Sequence, residues 1–373
     1  MPRLPFLDAL RGWAILLVIA VHASITFQPA SEFLHRLAWH GRMGVVLFFV
    51  VSAVALMLSF RQHGQEPHPV SSFFIRRFFR IAPMFYLGIV LSLLLDGLSP
   101  RADAPQGIDV HHVVLTALFL HGWWPDTINT VVFGGWSIAV ETTFYLCFPL
   151  AVRFLRSRAS LLLALAGSLL LAVVLRKLTN DFFFEQFAPS LAPTVRAFFY
   201  QWFPNQLPSF LIGMILALAL DKLPPQTRKS DAIALCVLAF AALYSCLYVQ
   251  PIQGLFGSNH LFAAAFALLA YALANWEIPL LVNRLTCHIG KISFSMYIVH
   301  GPIIRLFEKG IVPLPAYPTD ADLRFVLHFV VLTVVSAVIA TATYRFIERP
   351  GIRLGAWLVV RRAGRPLAAE PAN

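Results

Sequence analysis

The stretch LDALRGWAILLVIAVHASITF, residues 7–27, is apolar over almost its whole length. A membrane-spanning helix needs about 20 mostly apolar residues, so this stretch predicts a transmembrane helix. It nevertheless carries Asp8 and Arg11 near its start and His22 in its second half. Ionisable side chains at membrane depth are costly and usually face the protein interior, which makes these three residues candidates for function.

The whole chain has the composition of an integral membrane protein. Of its 373 residues, 58% are hydrophobic and only 13% are charged, whereas a soluble domain of this size needs more polar surface. The net charge of +11 comes from short basic clusters between apolar runs. That pattern follows the positive-inside rule, so we do not expect nucleic-acid binding. The four cysteines form no metal-binding or disulfide pattern, and we predict packing roles for them.

Ten apolar runs are long enough to span a membrane. They lie near residues 9–28, 43–60, 81–97, 136–155, 159–176, 205–221, 231–250, 259–275, 290–308 and 323–347.

The first run is too long and too charged for a cleavable signal peptide, so we expect it to be retained. A further apolar segment, 113–124, has only about 12 residues and predicts a re-entrant segment buried against protein. If these ten runs cross the membrane, all the basic clusters lie on the same side of it. Basic loops favour the cytoplasmic side, so both termini are predicted to be cytoplasmic.

The charged residues of the first span are predicted to project from one helix face. Arg11 and His22 differ by roughly 20° around a helix and by ~16 Å along it, and Asp8 falls within about 40° of His22. We interpret the three residues as parts of one site. The alternative is an interfacial Asp8–Arg11 pair and a histidine that only packs.

A second polar group lies in GGWSIAVETTFYLCFPL, residues 134–150. If this span begins at the outer surface, Glu141 lies roughly 8 Å deep, which is also the expected depth of His22. A carboxylate at that depth can orient the imidazole and raise its basicity, so we predict that Glu141 orients His22. Tyr145, at i+4, shares its helix face. The alternative is a structural acid that pairs with an arginine.

Two further segments add basic and aromatic side chains. Arg77 and Arg80, in SSFFIRRFFRIAP at 71–83, share one face at the start of the third span. Together with Arg11 they would suit the phosphates of a cytoplasmic anionic cofactor, although ordinary topology charges are the alternative. His300, in SFSMYIVHGPII at 293–304, is expected near mid-membrane, one turn after Tyr297. A pathway role and a packing role for His300 are equally open.

Seven segments, in order along the chain, resemble the membrane-bound acyltransferase family 3. They are FLDALRGWAILLVIAVHA, GRMGVVLFFVVSAVALML, FFIRRFFRIAPMFYL, GGWSIAVETTFYLCFPL, QLPSFLIGMILA, ISFSMYIVHGPII and YRFIERP. The family includes polysaccharide O-acetyltransferases, Nod-factor acetyltransferases and glucan succinyltransferases. The resemblance implies an all-α transmembrane acyltransferase domain over residues 1–355 in a bacterial inner membrane, followed by a basic cytoplasmic tail at 356–373.

The resemblance also carries residue roles. The arginine and histidine that the family separates by ten residues match Arg11 and His22, and His22 is expected to be catalytic. The Arg-x-x-Arg pair matches Arg77 and Arg80. The Trp-Ser-x-x-x-Glu motif matches Trp136, Ser137 and Glu141.

The chain departs from the family pattern at three places. Ser52-Ala53 replaces Ser-Gly, Thr142 replaces the second acid of a Glu-Glu pair, and His300-Gly301-Pro302 replaces His-Trp-Pro. The last change reshapes the surroundings of His300 and leaves the acyl group and the acceptor open.

The resemblance implies an O-acyltransferase that takes an acyl group, most simply acetyl from acetyl-CoA, to a hydroxyl of a glycan or small acceptor. No bound cofactor and no metal are expected. The competing class is a secondary transporter of a glycan precursor, in which His22, Glu141 and His300 relay protons. Transporters often show two matching halves, and this sequence has none. The oligomeric state, including a homo-oligomer, stays open.

Overall fold

The structure is a computed structural model that describes residues 4–100, 104–179, 192–221, 229–248, 257–314 and 317–363. Within these ranges 81% of the residues are helical and no β-strand forms. This confirms the prediction of an all-α protein. No disulfide joins the four cysteines, all of which lie in the described part.

Fifteen α-helices occur in the described ranges. They are α1 Pro5–Thr26, α2 Glu32–Trp39, α3 Gly44–Gln62, α4 Pro69–Asp96, α5 Val110–Ala117, α6 Gly135–Phe154, α7 Arg158–Leu178, α8 Ala192–Gln201, α9 Phe203–Leu220, α10 Lys229–Tyr248, α11 Ser258–Asn275, α12 Arg284–Lys291, α13 Ser293–Glu308, α14 Ala321–Thr343 and α15 Arg349–Arg362. A π-helical turn, Tyr344–Glu348, joins the last two helices.

Eight helical stretches of the described chain are long and apolar enough to cross a membrane. They are Pro5–Thr26, Glu32–Gln62, Pro69–Asp96, Gly135–Phe154, Arg158–Leu178, Val195–Leu220, Lys229–Tyr248 and Ala321–Arg362. The other two predicted spans form α11 and α13, which lie outside this set. Helix α13 has only 16 residues, and polar residues at both ends of α11 lower its hydropathy. The count of ten spans and the cytoplasmic termini stay predictions.

The apolar segment 113–124 forms a short helix and a turn instead of a span. Helix α5 has eight residues, or about 12 Å of length, and packs on α4. The turn that follows is pressed against α6, since a Cβ on Gly122 would lie 2.7 Å from the Cβ of Ala139. His121 in this turn is buried, and its Nε2 lies 3.0 Å from the carbonyl oxygen of Gly135. This segment therefore determines where α6 begins.

Helix α1 runs through the core of the bundle and contacts α3, α12, α13 and α14. Its contact with α12 is a contact of backbones. A Cβ on Gly290 would overlap the carbonyl of Asp8, and a Cβ on Gly12 would overlap the carbonyl of Thr286. Only glycine permits so close an approach. The beginning of α1 is therefore held in place along its axis.

Helix α15 runs through the predicted start of the basic tail at residue 356. Gly355 packs on the side chain of Phe79 in α4, and Val359 is buried. The described part of the predicted tail is thus helical and packed on α4. Residues 364–373 lie outside the described residues.

Candidate active site

Three arginines from two helices meet at one cavity, which we call the arginine cavity. Arg11 comes from α1, and Arg77 and Arg80 come from α4. The cavity holds about 710 Å³ of space, part of it open to the surroundings. Its wall is completed by side chains of α3, α6 and α13, among them Ser52, Ser137, Glu141, Tyr145, Ser293 and Tyr297. The structure thus brings together the three guanidinium groups that the sequence grouped.

The three guanidinium groups repel one another and are held among acidic and polar neighbours. Arg11 donates from Nη1 to Oδ1 of Asp8 at 3.3 Å, which is the pair named in the alternative interpretation of this helix. Both Arg77 and Arg80 act on Arg11 electrostatically. Arg77 donates to Ser59 at 3.4 Å, while its Nε is buried without a partner among the described residues. Three clustered guanidinium groups with an unused donor suit an anionic ligand.

Glu141 is the only carboxylate among the described residues that line the arginine cavity. Its Oε1 accepts hydrogen bonds from Ser52 Oγ and from Tyr145 OH, each at 2.6 Å. The contact with Tyr145 follows the predicted i+4 spacing. Ser52 was not among the residues that the sequence predicted for the site, and the structure gives it a partner 89 positions away.

His22 is not among the described residues that line the arginine cavity. Its Nδ1 lies 3.1 Å from Nε2 of His300, which is fully buried in α13. The ring of Phe133 lies against both imidazoles, with centroids 4.7 Å from His22 and 5.6 Å from His300. The two histidines, 278 positions apart in sequence, form one pair.

The hydrogen bonds of His300 define which nitrogens of the pair carry protons. Its Nδ1 lies 2.6 Å from the carbonyl oxygen of Tyr297, and a carbonyl only accepts, so this nitrogen carries the proton. In neutral His300 the Nε2 atom is then an acceptor, and His22 donates to it from Nδ1. This assignment, drawn from the network, leaves Nε2 of His22 with a free lone pair.

No hydrogen bond among the described residues joins Glu141 to His22, so the predicted orienting role of Glu141 stays a prediction. The Glu141 carboxylate binds Ser52 and Tyr145 at the arginine cavity, whereas the ring partner of His22 is His300. The carbonyl of Gly134, directly before α6, accepts a hydrogen bond from Tyr297 OH at 2.9 Å, which ties the start of α6 to α13.

Tyr297 and Trp136 have packing and anchoring roles. Besides bonding Gly134, the Tyr297 hydroxyl accepts from Ser137 Oγ at 2.7 Å, so it attaches the start of α6 to α13. Trp136 packs edge-on against Phe49, with ring centroids 6.1 Å apart. Trp136 is not among the described lining residues of the arginine cavity.

Glu348 is a buried acid that the sequence reasoning did not single out, although it lies in the quoted segment YRFIERP. It sits in the π-helical turn before α15 and is 1% exposed. Its Oε2 accepts from Ser295 Oγ at 2.6 Å, its Oε1 has no partner among the described residues, and Arg80 acts on it electrostatically. A buried carboxylate beside Arg80 helps to balance the charge of the cavity.

The family model and the relatives that match this chain are all described as acyltransferases. A family model described as an acyltransferase domain matches residues 4–345. Acyltransferase MdmB of Streptomyces mycarofaciens is 27% identical over 81% of this chain and 79% of its own length. O-acetyltransferase OatA of Staphylococcus aureus (strain NCTC 8325 / PS 47) is 25% identical, and putative O-acetyltransferase SACOL0978 of Staphylococcus aureus (strain COL) is 23% identical. Each staphylococcal match covers 94% of this chain but only 57% of the relative. No solved structure matches.

Proposed function

The chain belongs to the acyltransferase 3 family, and from that membership we propose that it transfers acetyl from acetyl-CoA to a hydroxyl of a cell-surface or exported glycan. One structural observation supports the choice of acyl-CoA as the donor. Helix α1 bears Arg11 at the arginine cavity and His22 in the histidine pair, about 16 Å further along the same helix. An anion site and a basic imidazole at this spacing suit a long anionic acyl donor.

The arginine cavity is the proposed donor site. Arg11, Arg77 and Arg80 would hold the phosphates of CoA, because guanidinium groups bind phosphate oxygens with two parallel hydrogen bonds. In the predicted topology this cavity faces the cytoplasm of a bacterial inner membrane, where acyl-CoA is available. The three clustered guanidinium groups and the unpartnered Arg77 Nε support this choice over a neutral donor.

The pantetheine arm would connect the two sites. The distance of about 16 Å between Arg11 and His22 is comparable to the length of that arm. With its phosphates on the arginines, the donor would carry its thioester to the histidine pair. The acyl carbon then lies beside the free lone pair of His22.

His22 is the proposed general base. Its Nε2 takes the proton of the acceptor hydroxyl while the hydroxyl oxygen attacks the thioester carbonyl carbon. The carbon–sulfur bond breaks, the thiolate takes the proton from the imidazolium, and an ester and free CoA leave. A variant of this route transfers the acyl group first to His22 and then to the acceptor. In both routes His300 holds the His22 ring in the required tautomer.

Glu141 has a different proposed role from the one expected from sequence. Its carboxylate lies among three guanidinium groups and acts electrostatically on Arg11 and Arg77. It would limit repulsion between these cations when no donor is bound. Glu141 is thus a positioning residue of the donor site.

The test uses purified protein in lipid nanodiscs with acetyl-CoA labelled in the acetyl group. Release of CoA is followed for the wild type, His22→Ala and Arg11→Ala. His328→Ala is the matched control, because His328 is buried in α14, and its ring contacts are with Phe27, Phe307 and Tyr317 and not with His22 or His300.

Turnover should disappear in His22→Ala, weaken in Arg11→Ala through a higher KM, and persist in the control. If the protein binds and turns over succinyl-CoA but not acetyl-CoA, the proposed reaction stands and only the identity of the transferred acyl group changes. If the wild type neither binds nor turns over any acyl-CoA, the proposed donor is wrong, and proton-coupled transport by His22, Glu141 and His300 becomes the hypothesis to test.

A further inference from the structure

A second cavity, which we call the Asp96 cavity, lies on the other side of the histidine pair. It is lined by Ser92 and Asp96 of α4, Asn129 and Phe133 of the segment before α6, and Gly301 and Arg305 of α13, together with neighbouring apolar residues. It holds about 320 Å³ of space, part of it open to the surroundings. The function described above uses none of these residues except Phe133, which packs on the imidazoles.

One aromatic ring separates this cavity from the histidines. Phe133 lines the cavity and lies 4.7 Å from the His22 ring, centroid to centroid. Gly301 follows His300 directly, and a Cβ on Gly301 would lie 2.7 Å from Cδ1 of Phe133. The glycine, which departs from the family's tryptophan, therefore provides the space for the Phe133 ring.

The two cavities lie at opposite ends of the same pair of helices. Arg80 and Ser92 are twelve positions apart on α4, and Ser293 and Arg305 are twelve positions apart on α13. Twelve helical residues span about 18 Å. The Asp96 cavity thus lies about 18 Å from the arginine cavity along both helices.

The polar groups of the Asp96 cavity suit neutral hydroxyls. Oδ1 of Asn129 is buried and has no hydrogen-bond partner among the described residues, so it is an acceptor that lacks a donor. The Asp96 carboxylate already faces the Arg305 Nε at 3.5 Å and the Lys309 Nζ at 3.4 Å. Glu308, which accepts from Arg305 at 2.8 Å, brings the two cations into balance with two carboxylates. The unpartnered acceptor of Asn129 therefore suits the hydroxyl of an uncharged ligand.

We propose that the Asp96 cavity is the acceptor subsite and takes an uncharged sugar unit from the membrane face opposite the donor. The proposal rests on the proposed acyl transfer. Asn129 accepts a hydrogen bond from a sugar hydroxyl, Arg305 donates to the sugar, and the Phe133 ring packs on its apolar face. One hydroxyl passes the edge of Phe133 and loses its proton to His22 Nε2 as its oxygen bonds the acyl carbon and CoA leaves.

The experiment separates donor chemistry from acceptor transfer. Asn129→Leu removes the unpartnered acceptor at similar volume, and Ser92→Val removes a buried hydroxyl of the same wall. Ser168→Val is the matched control for Ser92→Val, because Ser168 in α7 is as buried as Ser92 and lines neither cavity.

Each variant is purified in nanodiscs for acetyl-CoA binding and for the slow release of CoA without acceptor. Each is also expressed in a deletion strain of the source bacterium fed with labelled acetate, where base-labile label in envelope glycans measures transfer.

We expect Asn129→Leu to lower the label in glycans roughly tenfold, the effect of losing one or two hydrogen bonds to substrate. Ser92→Val should lower it less, and acetyl-CoA binding should stay within about twofold of the wild type in both variants. Normal glycan labelling in both variants would overturn the acceptor subsite while leaving the proposed function intact. Equal losses of donor binding and labelling would also overturn it. A wild type that gives no more label than His22→Ala would overturn the proposed function and the subsite together.

Discussion

The Nε2 atom of His300 lies 3.1 Å from the Nδ1 atom of His22, and this contact, with the Tyr297 carbonyl behind it, orders the protons of both rings. His300 itself does not need to touch a substrate for this effect. It acts through His22, which makes it a positioning residue in the proposed reaction.

Removing the acceptor nitrogen of His300 should slow turnover without ending it. We expect His300→Ala to lower kcat roughly 5- to 100-fold, which corresponds to one lost orienting hydrogen bond of about 1–3 kcal/mol. His300→Gln, whose amide oxygen can accept from Nδ1 of His22, should restore part of the rate and the wild-type pH profile of kcat. A rate in His300→Gln that is no higher than in His300→Ala would contradict the positioning role.

The arginine cavity should determine donor affinity. Arg80→Ala is expected to raise the KM for acetyl-CoA roughly 10- to 100-fold with little change in kcat, because hydrogen bonds to charged groups contribute about 1.5–3 kcal/mol. Arg61→Ala is the control, since Arg61 pairs with Asp221 at the surface and such pairs contribute little. An unchanged KM in Arg80→Ala would exclude Arg80 from the donor site.

Glu141 should affect charge balance more than chemistry. Glu141→Gln keeps the size of the side chain and an acceptor for Ser52 and Tyr145 but removes a negative charge from the arginine cavity. We expect a lower unfolding temperature without ligand and a few-fold tighter binding of CoA, because the cations repel more and attract an anion more. Glu32→Gln, which removes an exposed carboxylate paired with Arg36, should change neither. Weaker CoA binding in Glu141→Gln would show that the carboxylate contacts the donor directly.

The start of α6 depends on a glycine. Gly134 has φ +70°, and a Cβ there would lie 2.8 Å from the Tyr297 hydroxyl. Gly134→Ala should therefore lower the free energy of unfolding by about 1–3 kcal/mol, which thermal unfolding in detergent can measure. Gly167→Ala is the matched control inside α7, where a Cβ meets no atom within 4 Å, and it should be neutral or stabilising. Equal losses in the two variants would refute this account of Gly134.

Outside the candidate spans, one carboxylate should give a measurable pH dependence. Burial acts to raise the pKa of Glu66, but the hydrogen bonds and charge of Arg76 outweigh it, so the pKa lies below its usual value. Such a group stabilises the fold above its unfolded pKa of about 4.3, and the contribution is lost as the pH falls through the folded pKa. Glu66→Gln should therefore lower the unfolding temperature at pH 7, and the difference should shrink as the pH falls below about 4. A difference that persists at low pH would refute the ionic contribution.

Local periodicity predicted the contacts that lie within one helix. The pairing of Arg11 with Asp8 and of Tyr145 with Glu141 follows from spacings of three and four residues. The long apolar runs likewise predicted the helical, multi-pass architecture. These features depend on neighbours in sequence, which a single sequence displays directly.

The sequence could not predict contacts between segments that are far apart in the chain. The pair of His22 and His300 and the contact of Ser52 with Glu141 join different helices, and no spacing relates them. The hydrogen bond from Tyr297 to the carbonyl of Gly134, which ties the start of α6 to α13, joins residues 163 positions apart and was likewise not predicted.

The backbone contact between α1 and α12 has a consequence for selectivity between donors. Gly290 is pressed against the carbonyl of Asp8, which holds the start of α1 against α12. Arg11 and His22 lie on this one helix, so the helical rise keeps them about 16 Å apart. In the proposed reaction this separation matches one length of carrier arm, so a thioester on a shorter or longer arm would stop short of the imidazole or pass it, whatever acyl group it holds.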